Sequence, residues 1–155
     1  MDAPAYWGVA GHPISHSITP KLFSIVGNAM GLVQAEQIFV EASSEGEFYS
    51  KVEALDGDLW LSCTAPLKHS PHSRLGVQGP VGVNAINQLM RSNGVWKGAS
   101  TDGAGFVSAC RHIGVEPSGS ILRMRGGGSA ARSIAAAWSS EGGSIIPEMG
   151  RRKLV

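Results

Sequence analysis

Charge is scarce in this chain. Only 16% of its 155 residues are Asp, Glu, Lys or Arg, and the formal net charge is +1. No dense basic face is available to neutralise nucleic-acid phosphates, so nucleic acid is not the expected partner. Cysteine is nearly absent: Cys63 and Cys110 stand alone, without metal spacing or a disulfide framework, and read as small core residues. His12, His16, His69, His72 and His112 are scattered, with no ligand spacing to a second His or Cys, and no metal site is expected. No apolar run is long enough to cross a membrane. The opening Met1-Asp-Ala-Pro-Ala-Tyr6 lacks a basic region followed by an apolar one, so a secretory leader is not expected and the cytoplasm is the default. What is plentiful is glycine, with 21 residues, which implies many tight turns or close backbone approaches to a ligand. An apolar content of 43% suffices for a real core; the length suggests one domain, with two small ones as the rival.

Along the chain, strand and helix patterns alternate. Tyr6–Ala10 reads as a short buried strand closed by Gly11, followed by the polar loop His12–Ile18. Thr19 and Pro20 mark a helix start, with Thr as N-cap and Pro at the first helical position. Leu22, Ile25, Val26, Ala29 and Met30 then fall at i, i+3, i+4, i+7 and i+8 and form its apolar face, up to a stop at Gly31. Gln37–Val40 is a second strand. Ser44 and Glu47 have capping-box spacing ahead of Phe48, Val52 and Leu55. Leu59–Leu61 is an apolar run that turns polar and breaks at Pro66, with Lys68 just beyond. From Val83 the pattern changes: Asn93-Gly94 between Ala85–Arg91 and Val95–Ala99 predicts a hairpin with a type I′ turn. Asp102-Gly103 opens a helix with Phe106, Val107, Cys110 and Ile113 on its face, ended by Gly114. After a linker at Glu116–Gly119 come a strand (Ile121–Met124), a glycine loop (Arg125–Ser129), a helix (Ala130–Ser139) and a last strand (Ser144–Met149). Such β–α–β repeats favour parallel pairing with right-handed crossovers.

Three places carry chemistry. A buried strand that ends in a small-polar loop is where α/β proteins site their reactions, and a lysine there, Lys68, is a plausible proton carrier. Ser15, Ser17 and Thr19 enter a helix whose free N–H groups favour a carboxylate or phosphate; the other reading of Thr19 is a plain N-cap, and Asp102 has the same alternative on its own helix. Gly126-Gly-Gly128-Ser-Ala-Ala131 is a G-x-G-x-x-A between strand and helix, the context of a dinucleotide fingerprint. Beyond it, Arg151 and Arg152 suit a 2′-phosphate, whereas Glu148 suits a free ribose 2′-hydroxyl, so the residues leave NADP and NAD open.

Together these motifs resemble those of shikimate dehydrogenases. Gly8-Val-Ala-Gly-His-Pro-Ile-Ser-His-Ser-Ile-Thr-Pro-Lys-Leu22 resembles that family's opening motif. Ser62-Cys-Thr-Ala-Pro-Leu-Lys68 is similar to its Asn-x-Thr-x-Pro-x-Lys, and Val81-Gly-Val-Asn84 to its Gly-Ala-Val-Asn. Ser100-Thr-Asp-Gly-Ala-Gly-Phe106 resembles Asn-Thr-Asp-Gly-x-Gly-Phe, Gly126 to Arg132 resembles Gly-Ala-Gly-Gly-Ala-Ala-Arg, and Gly150-Arg-Arg152 is weakly similar to Asn-Arg-Thr. Ser62, Ser100 and Ala85 depart from it, standing where the family has Asn, Asn and Thr.

The resemblance implies NADP-dependent, reversible reduction of 3-dehydroshikimate to shikimate, with a small molecule as the only partner indicated and no implication for oligomeric state. It implies Lys68 and Asp102 as the catalytic pair, and Ser17, Thr19, Ser62, Thr64, Asn84, Lys68 and Asp102 around the substrate. It implies Gly126, Gly127, Gly128, Ser129, Ala130, Arg151 and Arg152 around the cofactor. The expected architecture is a three-layer α/β substrate domain with a mostly parallel sheet over residues 1–101. A linking helix and the start of a Rossmann-type domain then fill 102–155, the chain ending partway into the nucleotide fold. The competing expectation is a shortened, non-catalytic shikimate-binding module.

Overall fold

The computed structural model describes residues 3–69 and 74–154; His72, one of the scattered histidines, lies outside them. The backbone divides into two units. One comprises residues up to Gln78 together with Ile86–Ala99; the other comprises Gly79–Ala85 and the chain from Ser100 onward.

The first unit is an α/β sheet of five strands: β1 (Tyr6–Gly11), β2 (Glu36–Glu41), β3 (Leu59–Cys63), β4 (Gln88–Ser92) and β5 (Val95–Ala99). Their spatial order is β2-β1-β3-β4-β5. β1 pairs in parallel with both β2 and β3, and the β4–β5 hairpin closes one edge antiparallel. Asn93 and Gly94 take φ of 49° and 76°, the two positive angles a type I′ turn demands.

Two helices connect the parallel strands, α1 (Thr19–Met30) and α2 (Glu45–Glu53). The main core lies on the α2 side. Ala10, Val40, Leu59, Leu61 and Cys63 point from alternate strand positions onto Phe48, Tyr49 and Val52. Burying a side chain such as Phe48 or Val52 contributes about 1.5–3 kcal/mol. The intervening positions, Trp7 and Trp60, face α1 instead: Phe23 stacks on Trp7 at 5.7 Å between ring centroids, and Phe23 and Trp60 line one groove.

The start of α2 carries the expected cap at Ser44, with only the return bond from Glu47 moved back one residue. Ser44 accepts from the Glu47 N–H, while the Glu47 carboxylate accepts from the N–H of Ser43. The hydrogen bond from Lys51, then that from Ser43, hold the Glu47 carboxyl down at about 2.

α1 departs from the expectation on two counts. Its N-cap is Ile18, not Thr19, which with Pro20 already lies within the helix. The predicted apolar face is also turned outward: Leu22, Ile25, Val26 and Met30 are each at least half exposed. The buried residues are Pro20 and Gly27, on the opposite arc with Phe23. The indole of Trp7 already fills the space between sheet and helix, so the helix can close only through its small residues. Periodicity identified a helix here but not its contact face.

In the second unit, β6 (Ile121–Arg125) and β7 (Ser144–Glu148) form a separate parallel pair. They are joined through α4 (Ser129–Ser140) and preceded by α3 (Asp102–His112). Trp138 of α4 is buried and its ring lies 6.0 Å from that of Phe106. Gly103 and Val107 are the buried positions of α3; Ile113, expected on its apolar face, lies past the helix end and is exposed. No helix among the described residues is long and apolar enough to cross a membrane.

Candidate active site

In the first unit the chain leaves β1 toward β2 on one side, and later returns to form β3 on the other. Adjacent parallel strands whose connections diverge open a crevice at their carboxyl ends, the usual ligand position in open α/β sheets. Both candidate loops of this unit start there. The loop after β1 carries Ser17 and leads into Thr19, the first residue of α1; the loop after β3 carries Thr64 and Lys68.

Local bonding shapes both loops. Ser17 donates its N–H to the Ile14 carbonyl at 2.9 Å, and its Oγ accepts from the N–H of Thr19 at 3.3 Å. Ser17, rather than Thr19, thus supplies the side-chain oxygen at the α1 start. The β3 loop is held against β1: Thr64 N–H donates to Ala10, and His12 N–H to Ala65. Gly11 makes this closeness possible, since a β-carbon there would lie 2.5 Å from the Thr64 methyl and 2.7 Å from the Ala65 oxygen. Further on, the Lys68 carbonyl accepts from Ile86 N–H at 2.8 Å, anchoring the lysine to the segment that leads into β4. Ser17, Thr19, Ser62, Thr64 and Lys68 are all half-buried, as groups meeting a ligand should be.

Lys68 also leaves an electrostatic trace. Burial pushes the Cys63 thiol up to about 12, and the nearby ammonium of Lys68 opposes that rise. Cys63 is therefore inert, as a core cysteine should be.

Ser62 has a partner the sequence reading missed. Gln88 is its cross-strand neighbour in the β3–β4 ladder, and the Gln88 amide donates to Ser62 Oγ at 3.5 Å. The signal for Gln88 was a polar residue inside the predicted hairpin strand, but its pairing depends on register. The groove nearby, about 350 Å³, is lined by Phe23, Trp60, Gln88, Met90 and Lys97 among others. It contains none of the loop residues, so it is a neighbouring apolar surface rather than the site.

The second unit carries the other expected residues. Asn84 is exposed, with φ of 46°, in a turn where its N–H and that of Val83 donate to the Pro80 carbonyl. Asp102 is the first residue of α3, whose N-cap is Thr101, so the alternative reading of Asp102 as that cap does not hold. Asp102 is half-buried, and its place in the first turn puts it at the positive end of the helix.

The glycine loop joins β6 to α4 as expected. Gly126 has φ of 96°, and a β-carbon at Gly126 or Gly128 would meet nothing within 4 Å, so this backbone faces open space. Helix α4 starts after Gly128 with no side-chain cap, which leaves its end suited to an anion. Gly127 serves a different need: a β-carbon there would fall 1.7 Å from the Lys153 carbonyl oxygen. Ser129 and Ala130 form the first turn of α4, and Arg151 and Arg152 are exposed beyond β7. Among the described residues no group of three or more His, Cys, Asp or Glu is placed to hold a metal ion.

A mostly parallel sheet with a switch-point crevice, followed by a strand–glycine loop–helix, defines a class: α/β proteins that continue from such a sheet into the opening of a dinucleotide-type fold. Within that class, no protein-family model matches the chain, but individual proteins do. It is 35% identical over 142 residues to a shikimate dehydrogenase (NADP(+)) of Xanthomonas campestris pv. campestris, a match covering 84% of this chain and 47% of the relative. It is 32% identical over 151 residues to that of Methanothrix thermoacetophila, covering 93% and 55%. The fold is that of a Thermus thermophilus shikimate 5-dehydrogenase solved in complex with shikimate, with a TM-score of 0.77 at 23% identity over 93% of this chain and 56% of that one. The chain belongs to the shikimate dehydrogenase family and corresponds to its amino-terminal portion. It spans about half the length of the relatives it matches.

Proposed function

We propose that this protein carries the substrate-binding half of an NADP-dependent shikimate dehydrogenase, catalysing reversible reduction of 3-dehydroshikimate to shikimate in the cytoplasm. Residues 1–101 are the substrate domain, and 102–155 are the linking helix with the first part of the nucleotide-binding domain. What supports this reading is that Ser17 and Thr19, at the entry to α1, and Thr64 and Lys68, after β3, follow the ends of adjacent parallel strands whose connections diverge.

Each residue type suits its role. The Ser17 and Thr19 hydroxyls beside the positive end of α1 suit the substrate carboxylate. Ser62, Thr64, Asn84 and Asp102 offer donors and acceptors for ring hydroxyls. Lys68, as ammonium, stabilises charge developing on the carbonyl oxygen and supplies the proton that completes the alcohol. Asp102 supplies the carboxylate of the catalytic pair and an acceptor for one ring hydroxyl. The open backbone at Gly126 and Gly128 and the uncapped start of α4 fit a pyrophosphate, with Ser129 and Ala130 lining the same turn. Arg151 and Arg152 suit a 2′-phosphate. Bound NADPH supplies the hydride.

Nothing in the comparisons favours a non-catalytic binding module. The decisive experiment follows absorbance at 340 nm with shikimate and NADP+, together with calorimetric titration of shikimate. Binding and reduction of NADP+ are expected; a chain that does not bind shikimate would sink the reading.

A further inference from the structure

Ser133 lies one turn into α4, is 95% buried, and is one of two polar residues buried among those described. Its hydroxyl accepts the N–H of Gly103 at 3.0 Å and lies 3.0 Å from the Ser100 hydroxyl. Gly103 is the second residue of α3, where the backbone N–H has no acceptor in its own helix and Thr101 contributes no side-chain capping bond. The acceptor comes from α4 instead. Asp102 is thereby bracketed, with a hydroxyl contact two residues before it and an amide contact one residue after.

The two helices leave no slack at this point. A β-carbon on Gly103 would lie 2.2 Å from the carbonyl oxygen of Ser133 and 2.8 Å from the Ala137 methyl. Backbone rests on backbone, so a shift of α4 moves the first turn of α3 with it. The adjacent residue makes a parallel connection: Arg132 Nε donates to Val83, next to Asn84, and Nη1 donates to Gly127 in the glycine loop, each at 3.2 Å.

We propose that Ser133 is a positioning residue that couples the glycine loop to the Asp102 carboxylate. The inference rests on the shikimate reading above, in which Asp102 meets a ring hydroxyl. Ser133 touches no substrate; it determines where Asp102 is held when the loop at the other end of the same helix turn is occupied. Ser100 is the partner hydroxyl, at one of the positions where this chain departs from its family's motif.

The test is a double-mutant cycle read by calorimetric shikimate titration of the chain, comparing wild type, Ser133→Ala, Asp102→Asn and the double variant. Ser133→Ala should weaken shikimate binding by about threefold to tenfold, the scale of one buried hydrogen bond. In the Asp102→Asn background the same change should weaken it by less than about twofold, because the group it positions is already altered. Additive effects would overturn the proposal, since a merely structural serine would act equally in both backgrounds. If circular dichroism shows Ser133→Ala unfolded, Ser100→Ala takes its place in the cycle with the same criterion. A wild-type chain that does not bind shikimate removes the underlying reading and this one with it, an outcome distinct from additivity.

Discussion

Gly27 of α1 lies against the indole of Trp7 so closely that a β-carbon there would fall 1.8 Å from the ring. Helix and strand meet through a glycine because the tryptophan already fills the space between them. Gly27→Ala improves intrinsic helix propensity by about 1 kcal/mol, yet overpacking at such a contact typically costs about 1–3 kcal/mol. The clash is with the rigid end of a ring only 7% exposed, so we expect overpacking to win. Urea denaturation should show a lower midpoint for Gly27→Ala; a raised midpoint would mean that α1 can move off the sheet without cost.

Lys68 and Ser17 should separate chemistry from binding. Lys68→Ala should lower turnover by roughly 10²–10⁴-fold, the usual scale for an acid–base group, while the shikimate dissociation constant changes far less. Ser17→Ala should do the reverse, weakening binding more than it slows the chemical step. Steady-state rates and calorimetry on the same preparations resolve the two patterns. Equal effects of both variants on binding would remove Lys68 from its proton-carrying role.

The two cysteines should differ in reactivity. Burial raises the Cys63 thiol to about 12, so almost no thiolate exists at neutral pH, whereas Cys110 is half-buried. Titration of the native protein with a thiol reagent should modify Cys110 first and Cys63 only on unfolding. The linkage has a definite sign: a thiol with a raised folded value contributes stability below its unfolded value near 8.5 that is lost as pH rises toward 12. Cys63→Ala should therefore flatten the alkaline limb of the stability curve.

Cofactor choice should reside beyond β7. Replacing Arg151 and Arg152 together by Ala should remove any preference for NADP over NAD, with little effect on shikimate binding. Calorimetry with the two nucleotides tests this. A preference for NAD in the unaltered chain would transfer the role to Glu148, which ends β7 3.6 Å from Arg123.

Features governed by a few neighbouring residues were legible in the sequence. The Asn93-Gly94 turn, the Ser44–Glu47 cap and the glycine loop all formed where expected, because local backbone geometry depends on which residues tolerate positive φ or offer a capping oxygen. The alternation of strands and helices, and with it the α/β class, followed from periodicity in the same way. Features governed by contacts distant in sequence were not legible. Periodicity named the wrong face of α1, since the side chain that fills the space beneath it belongs to β1, twenty residues away at Trp7. The Ser62–Gln88 pair required the β3–β4 register, and the Ser100–Ser133–Gly103 cluster required two helices to meet backbone to backbone. The sequence by itself determined which groups are available for chemistry. Only the tertiary structure decided which of them are held in place by others, because hydrogen bonds and van der Waals contacts act over a few ångströms of space, whatever the distance along the chain.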